Sequence, residues 1–367
     1  MISLDNGKIS PKQFLFTIAC YIQASAMLTS FFVSITRQDS WLAVLLGFAG
    51  CIPFILIYIG LMNQFPGMNL IQISRKVYGP VVGSILSAFY VWFFLTLTSL
   101  NLRDLGDFIH QTIMPETPSI VILSVFLLVC VWAVRNGIQV VTRYSTLFAL
   151  FSILVIGLTT LLTSNLMDFD HFLPVLRLPL KSYIQGTHIV STIPFGEIMV
   201  FLMISPNIAL KEKKPGRYYL GGFALGGLSL LAVVVRDLAV LGDSLFLFTL
   251  PSFETQRMAS LTESISRLEI LFAVVLIIFL FAKITLLYYI TVQALTHLLG
   301  LNAYKTLVLP LGIWIMVYAF LSYESTMQHA ESAARVVPFV WSLFEFVLPL
   351  ITLILAKVLK KKPEEVN

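Results

Sequence analysis

One stretch of the chain restricts the fold more than any other. Thr187–Pro206 is long and apolar enough to cross a bilayer, yet Pro194 and Gly196 fall near its middle and Glu197 follows at once. Proline lacks the N–H that closes a helical turn, and glycine leaves helical geometry more easily than any other residue. The pattern predicts two half-helices, about 187–193 and 197–207, joined by a short unwound segment. Backbone freed from a helix at membrane depth persists only where protein or a polar cavity satisfies it. Glu197 would open the second half-helix, where the positive end of the helix dipole favours its ionised form. Two readings fit: a binding site at a broken midplane helix, or a proline-kinked span whose glutamate is paired for structure.

Composition sets the context. Of 367 residues, 58% are hydrophobic and only 12% charged, with a mean hydropathy of +0.90; a soluble domain carries about twice that charged fraction. The chain therefore reads as an all-α polytopic membrane protein. Its net charge of +5 does not point to nucleic acid, because the basic residues cluster beside the apolar runs. Cys20, Cys51 and Cys130 all lie inside apolar stretches and read as small buried hydrophobes rather than a disulfide framework. The first apolar run begins at Phe14 and continues too far for the core of a signal peptide, so it is expected to remain as an anchor.

Ser10-Pro11-Lys12-Gln13 has the order of a helix start. From there ten spans are expected, near 13–35, 41–62, 81–109, 119–134, 143–164, 187–207, 218–241, 268–295, 305–322 and 334–359. The middle of the first reads Gln23-Ala24-Ser25-Ala26, small and polar. Gly221, Gly222, Gly226 and Gly227 in the seventh suit close helix packing in lipid. Residues 13–164 and 187–359 look alike in outline. Each half opens on a helix with a polar or interrupted middle, and each places an amphipathic stretch, Gln64–Pro80 or Phe248–Arg267, between its second and third spans. Five spans per half make the second copy inverted, the plan of many secondary transporters. The whole chain, 1–367, then forms one membrane domain with a cytoplasmic tail at 360–367.

Ten spans put both termini on one side. The segments on that side carry Lys8, Lys12, Arg75, Lys76, Arg135, Arg143, Lys211, Lys213, Lys214, Arg217, Lys305, Lys357, Lys360, Lys361 and Lys362. The other side carries only Arg37, Arg177, Lys181, Arg257, Arg267 and Arg335. The bias predicts both termini inside.

Charged residues within the spans narrow the site. Thr96, Ser99 and Arg103 make one polar stripe on the third span, and Arg103 can pair with Asp107 one turn on. That pair and Arg236-Asp237 read as structural pairs near the outer end, and His188 as a hydrogen-bonded helix-end residue. Lys283 lies mid-span in the eighth and must find a carboxylate, reach the interface or lose its proton. Glu197 and Glu345 are both candidate partners, and a switch or a strut would look the same in sequence. Thr285 and Tyr289 share another face of that helix. No phosphate-binding loop, zinc-protease motif or paired-cysteine metal spacing occurs, so neither metal nor other cofactor is expected, and binding or transport is the remaining class.

Several motifs, in order and over nearly the whole chain, resemble the endospore germination permeases, the B subunits of nutrient germinant receptors within the amino acid–polyamine–organocation superfamily. They are Lys8-Ile-Ser-Pro-Lys-Gln13, Gly137-Ile-Gln-Val-Val-Thr-Arg143, Phe172-Leu-Pro-Val-Leu176, Pro194-Phe-Gly-Glu197 and Arg267-Leu-Glu269. The resemblance implies ten helices in a 5+5 inverted repeat (a LeuT-like fold) with helices 1 and 6 broken. It implies a pocket for a small nutrient, commonly an amino acid, between helices 1, 3, 6 and 8. Carried onto this chain, the pocket uses Gln23, Ala24, Ser25, Ala26, Thr96, Ser99, Thr192, Pro194, Phe195, Gly196, Glu197, Thr285 and Tyr289. It also implies a membrane-bound A subunit and a lipoprotein C subunit as partners, in the inner membrane of the spore. Three functions follow as alternatives: a ligand-sensing receptor subunit, a proton-coupled amino acid transporter using Glu197 or Lys283, and a structural subunit with a degenerate pocket.

Overall fold

A computed structural model describes residues 7–25, 29–209, 215–262 and 268–360. Expectations resting on Ala26, Lys211, Lys213, Lys214, Arg267, Lys361 and Lys362 fall outside the described residues. The described part is helical apart from its connections and an isolated parallel bridge between Ile9 and Ile208. In chain order the helices are α1 (Pro11–Ser25), α2 (Ser30–Thr36), α3 (Ser40–Gln64), α4 (Leu70–Tyr78), α5 (Pro80–Thr112), α6 (Ser119–Arg135), α7 (Ile138–Arg143), α8 (Ser145–Leu162), α9 (Leu180–Val190), α10 (Gly216–Leu241), α11 (Pro251–Thr262), α12 (Leu268–Leu299), α13 (Lys305–Leu321), α14 (Thr326–Arg335), α15 (Val337–Ser342) and α16 (Leu348–Val358).

Local chemistry sets several of these boundaries. The Ser10 hydroxyl accepts from Gln13 N at 3.2 Å while Gln13 Oε1 accepts from Ser10 N at 2.8 Å, a reciprocal cap that starts α1 at Pro11. Asn69 and Gln72 cap α4 in the same way. The two amphipathic stretches become the short helices α4 and α11. By length and apolarity, seven helices among the described residues are able to cross a membrane, or eight if α13 and α14, bent by 95°, count as one. Three expected spans fail this test alone for simple reasons: α6 and α13 have only 17 residues each, and α1 has 15 before the described chain is interrupted.

The interior is built around α1, which packs along α10 and touches α8 and α12. Glycine permits that approach. A Cβ at Gly222 would lie 2.5 Å from the Leu15 carbonyl oxygen, and one at Gly226 would lie 2.7 Å from Ile22 Cβ. The carbonyl belongs to a helix backbone and has nowhere to go. On the side of the N-terminus, Ile9 N donates to Asn207 O and Ala209 N to Ile9 O, both at 2.9 Å, so the first residues are strapped to the end of the interrupted stretch.

Gly222→Ala is therefore expected to lower stability by about 1–3 kcal/mol through overpacking. Gly50→Ala, where a Cβ meets nothing within 4 Å, should be neutral or slightly stabilising. Thermal unfolding of the two variants in one detergent checks the contrast.

Candidate functional site

The Thr187–Pro206 stretch leaves regular helix where its composition demands. Helix α9 ends at Val190, Ile193 takes the non-helical values φ −116° and ψ 104°, and Gly196–Met203 continues as a tight 3-10 segment. The Ile193–Pro194 peptide is cis. Glu197, 3% exposed, stands in the first turn after the break.

Lys283 of α12, equally buried, reaches this carboxylate. Its Nζ lies 2.7 Å from Glu197 Oε2, an ion pair by distance rather than an aligned hydrogen bond. The ammonium donates to Ser25 Oγ at the end of α1 and sits 4.6 Å from the centre of the Tyr21 ring. One cation thus joins α1, the segment after the break and α12. A buried charge with three such neighbours is held by an opposite charge, a hydroxyl acceptor and an aromatic face. Of the two carboxylates left open by sequence, the geometry gives Lys283 to Glu197.

Glu345 has a different place. It is fully buried on the irregular turn Leu343–Val347, between α15 and α16, and among the described residues neither carboxylate oxygen has a hydrogen-bond partner. Its head rests on the break: a Cβ at Gly196 would overlap Glu345 Oε2. Gly196 is glycine because this carboxylate occupies the space of a side chain.

Ser25, Ile193, Glu197 and Lys283 line a cavity of about 30 Å³. The rest of its wall comes from Phe31, from Leu97, Leu100, Asn101 and Asp104 on α5, and from His329, Ala333, Val337 and Trp341 on α14 and α15. Other predicted residues point elsewhere. Gln23 donates to Ser229 Oγ on α10 at 3.0 Å, and Ala24 is buried in the helix packing. Thr192 returns its hydroxyl to His188 O and Ile189 O, Pro194 is buried at the bend, and Phe195 packs against Phe48 and Phe223. Thr96 donates to Tyr318, and Ser99 to its own helix at Leu95 O. Thr285 faces Cys130 on α6, while Tyr289 accepts from Gln293 and meets the Tyr304 ring edge-on.

The residues that sequence reasoning missed are Asn101, Asp104 and His329. The stripe at 96, 99 and 103 faces α13, where Arg103 pairs with Asp107 at 2.9 Å and also donates to Ala319 O and Phe320 O. The neighbouring stripe at 97, 100, 101 and 104 has the same helical spacing and faces the cavity. His329 Nδ1 lies 3.3 Å from Asp104 Oδ1, and its ring is flanked by Phe31 at 5.8 Å and stacked on Tyr323 at 4.7 Å. Beyond Phe31 opens a vestibule of about 1530 Å³ walled by α2, α9 and α14. His188, beside it, pairs with the Ser342 hydroxyl at 2.7 Å. Arg236 and Asp237 form a buried pair that binds Thr159 and Ser252, tying α8, α10 and α11 together.

Comparison with known proteins places this geometry. A family profile described as spore germination protein matches residues 8–327. Spore germination protein KB of Bacillus subtilis (strain 168) is 27% identical over 99% of this chain and 98% of its own. Among solved structures, the nucleobase-cation-symport-1 family transporter Mhp1, closed with bromovinylhydantoin bound, superposes with a TM-score of 0.66 at 12% identity, over 95% of this chain and 81% of that one. MhsT in complex with L-phenylalanine gives 0.61 at 13% identity, over 93% and 97%. The fold is that of these transporters.

The packing of Glu345 on Gly196 yields a compensation test. Gly196→Ala alone should lower stability by about 1–3 kcal/mol, and adding Glu345→Ala should recover most of the loss. Thermal unfolding of the single and double variants measures it; equal damage in both would separate the two residues.

Proposed function

The chain belongs to the spore germination protein family, and from that premise we propose that it is the membrane subunit of a nutrient germinant receptor. It takes a small nutrient, an amino acid, into the cavity beside Glu197 and Lys283. In this reading ten spans form a 5+5 inverted repeat, interrupted in the first and sixth, with both termini inside and the protein in the inner membrane of the spore. A membrane-bound A subunit and a lipoprotein C subunit read the change of shape.

The observation that carries the reading is the bridge from Ser25 through Lys283 to Glu197, set in the wall of a cavity too small for the ligand. Pockets for small ligands measure roughly 300–1,000 Å³, against about 30 Å³ here. A nutrient therefore enters only if α1, the segment after the break and the helices facing them move apart. Binding and change of shape are one event, and the ligand supplies its differential affinity for the open form. Taking such an element from mostly closed to mostly open requires about 5.5 kcal/mol of preference. A zwitterion supplies part of this through charge-assisted hydrogen bonds to groups freed at the break.

Proton-coupled amino acid transport is the second reading. The likeness to Mhp1 and to MhsT favours it, as do paired ionisable groups inside the membrane, which mark substrate and ion pathways. The two readings part on flux. Reconstituted protein should bind an amino acid without accumulating it, and spores carrying Glu197→Gln should lose the nutrient response while germinating normally by nutrient-independent routes. Uptake of labelled amino acid that collapses with the pH gradient, and that Glu197→Gln abolishes, would establish the transporter instead.

A further inference from the structure

The small cavity has more carboxyl groups than lysines in its wall. Its wall holds two carboxylates, Glu197 and Asp104, and one lysine, Lys283, which is engaged by Glu197. Arg103, next to Asp104 in sequence, turns to Asp107. Asp104 is left facing the cavity with the imidazole of His329 3.3 Å from its Oδ1. Its side chain is only 13% exposed, so few waters share the work of solvating it.

The same two residues stand between the cavity and the outside. Asp104 and His329 line the inner cavity and also a second one of about 30 Å³, which shares Phe31, Gln111 and Thr326 with the large vestibule. Phe31 belongs to all three walls. His329 is carried by α14, a short helix bent 95° from α13 and capped by Ser325. Its first turn is moored to α5 by Thr326, which donates to Asp107 and accepts from Gln111. Phe31, His329 and Asp104 thus lie between the inner cavity and the vestibule.

We propose that Asp104 is the acceptor for the ligand's ammonium group, and that the ammonium takes the place of His329, releasing α14 from α5. This rests on the reading of the cavity as an amino acid site, and it assigns the ammonium to Asp104 rather than to Glu197. The exchange supplies the difference in affinity that a ligand-driven change needs: Asp104 meets His329 in the closed form and the ligand in the open form. The hydrogen bond from ammonium to Asp104 is charge-assisted and sheltered from water. The amine is thereby the recognised group, and an uncharged or N-blocked analogue leaves the carboxylate without its cation.

The test uses purified full-length protein in detergent, with Cys20, Cys51 and Cys130 replaced by alanine and Leu100→Cys added in the cavity wall. A small thiol-specific methanethiosulfonate reports access to the cavity. The probes are an equimolar mixture of the proteinogenic L-amino acids without cysteine, and the same mixture N-acetylated. The free amino acids should slow labelling and the acetylated ones should not. Asp104→Asn should raise the concentration for half-protection on the order of tenfold to a hundredfold, the range for one charged hydrogen bond, while Asp104→Glu stays within a few fold of the parent. His329→Ala should lower that concentration, because the competitor is gone, and should speed labelling without ligand. Equal protection of Asp104→Asn overturns the assignment, as does His329→Ala weakening protection in the manner of Asp104→Asn. Protection by the acetylated mixture overturns the ammonium as the recognised group. A parent protected by neither mixture overturns the amino acid reading itself and the inference with it. Unchanged melting temperatures across the variants separate these outcomes from misfolding.

Discussion

An ammonium group inside a protein that spans a membrane loses its hydration, and the loss is roughly tens of kcal/mol in an apolar medium unless partners replace the water. Lys283 has found three: the carboxylate of Glu197, the hydroxyl of Ser25 and the face of Tyr21. One of them, Glu197, follows directly on the bend at Ile193–Gly196. The cation ties α1 and the segment after the break to the long α12. A buried charge pair of this kind is weak evidence for added stability and better evidence for a specified arrangement.

The second half of the chain braces the same point from behind. Glu345 sits on the break at Gly196, and Tyr58 of α3 donates to the Glu345 carbonyl at 2.7 Å. Phe195 is locked between Phe48 and Phe223. The bend is thus held by packing on one side and by charge on the cavity side, and the cavity side is where yielding is cheapest. Outside it, α14 meets α5 through polar contacts, with Phe31 packed beside them. Polar contacts can be exchanged for contacts to a ligand at little net change in free energy, which an apolar seal does not permit. The molecule joins close-packed helices to a small hollow lined by Glu197, Lys283 and Asp104.

Much of this was legible in the sequence because a few residues have few options. The Pro194-Phe195-Gly196-Glu197 cluster marked where regular helix stops, although Pro53 in α3 and Pro310 in α13 lie inside unbroken helices, and the Ser10–Gln13 and Asn69–Gln72 pairs state where helices begin. The glycines of α10 announced a close neighbour, which proved to be α1. The site was legible only in part. Ser25, Glu197 and Lys283 stood out as polar groups in the middle of apolar runs. Helical periodicity could not say which of two adjacent stripes on α5 faces inward, since 96–99–103 and 97–101–104 fit it equally well. The choice is made by α13 and α14, which draw Arg103 and Asp107 outward. His329 was invisible for a related reason: it reaches the cavity only because α14 folds back across the end of α5, and nothing local to Thr326–Arg335 records that bend. Nor could sequence divide Lys283 between Glu197 and Glu345, because both lie on other elements at unspecified depth.

The central claim is that one buried ammonium links α1 and the segment after the break to α12. A thermodynamic cycle on Lys283→Met and Glu197→Gln, measured by equilibrium unfolding in a single detergent, tests it most directly. Either single change should destabilise by about 3–5 kcal/mol, since each strands a buried group, and the double variant should lose much less than the sum. Additive losses, with a coupling near zero, would contradict the account.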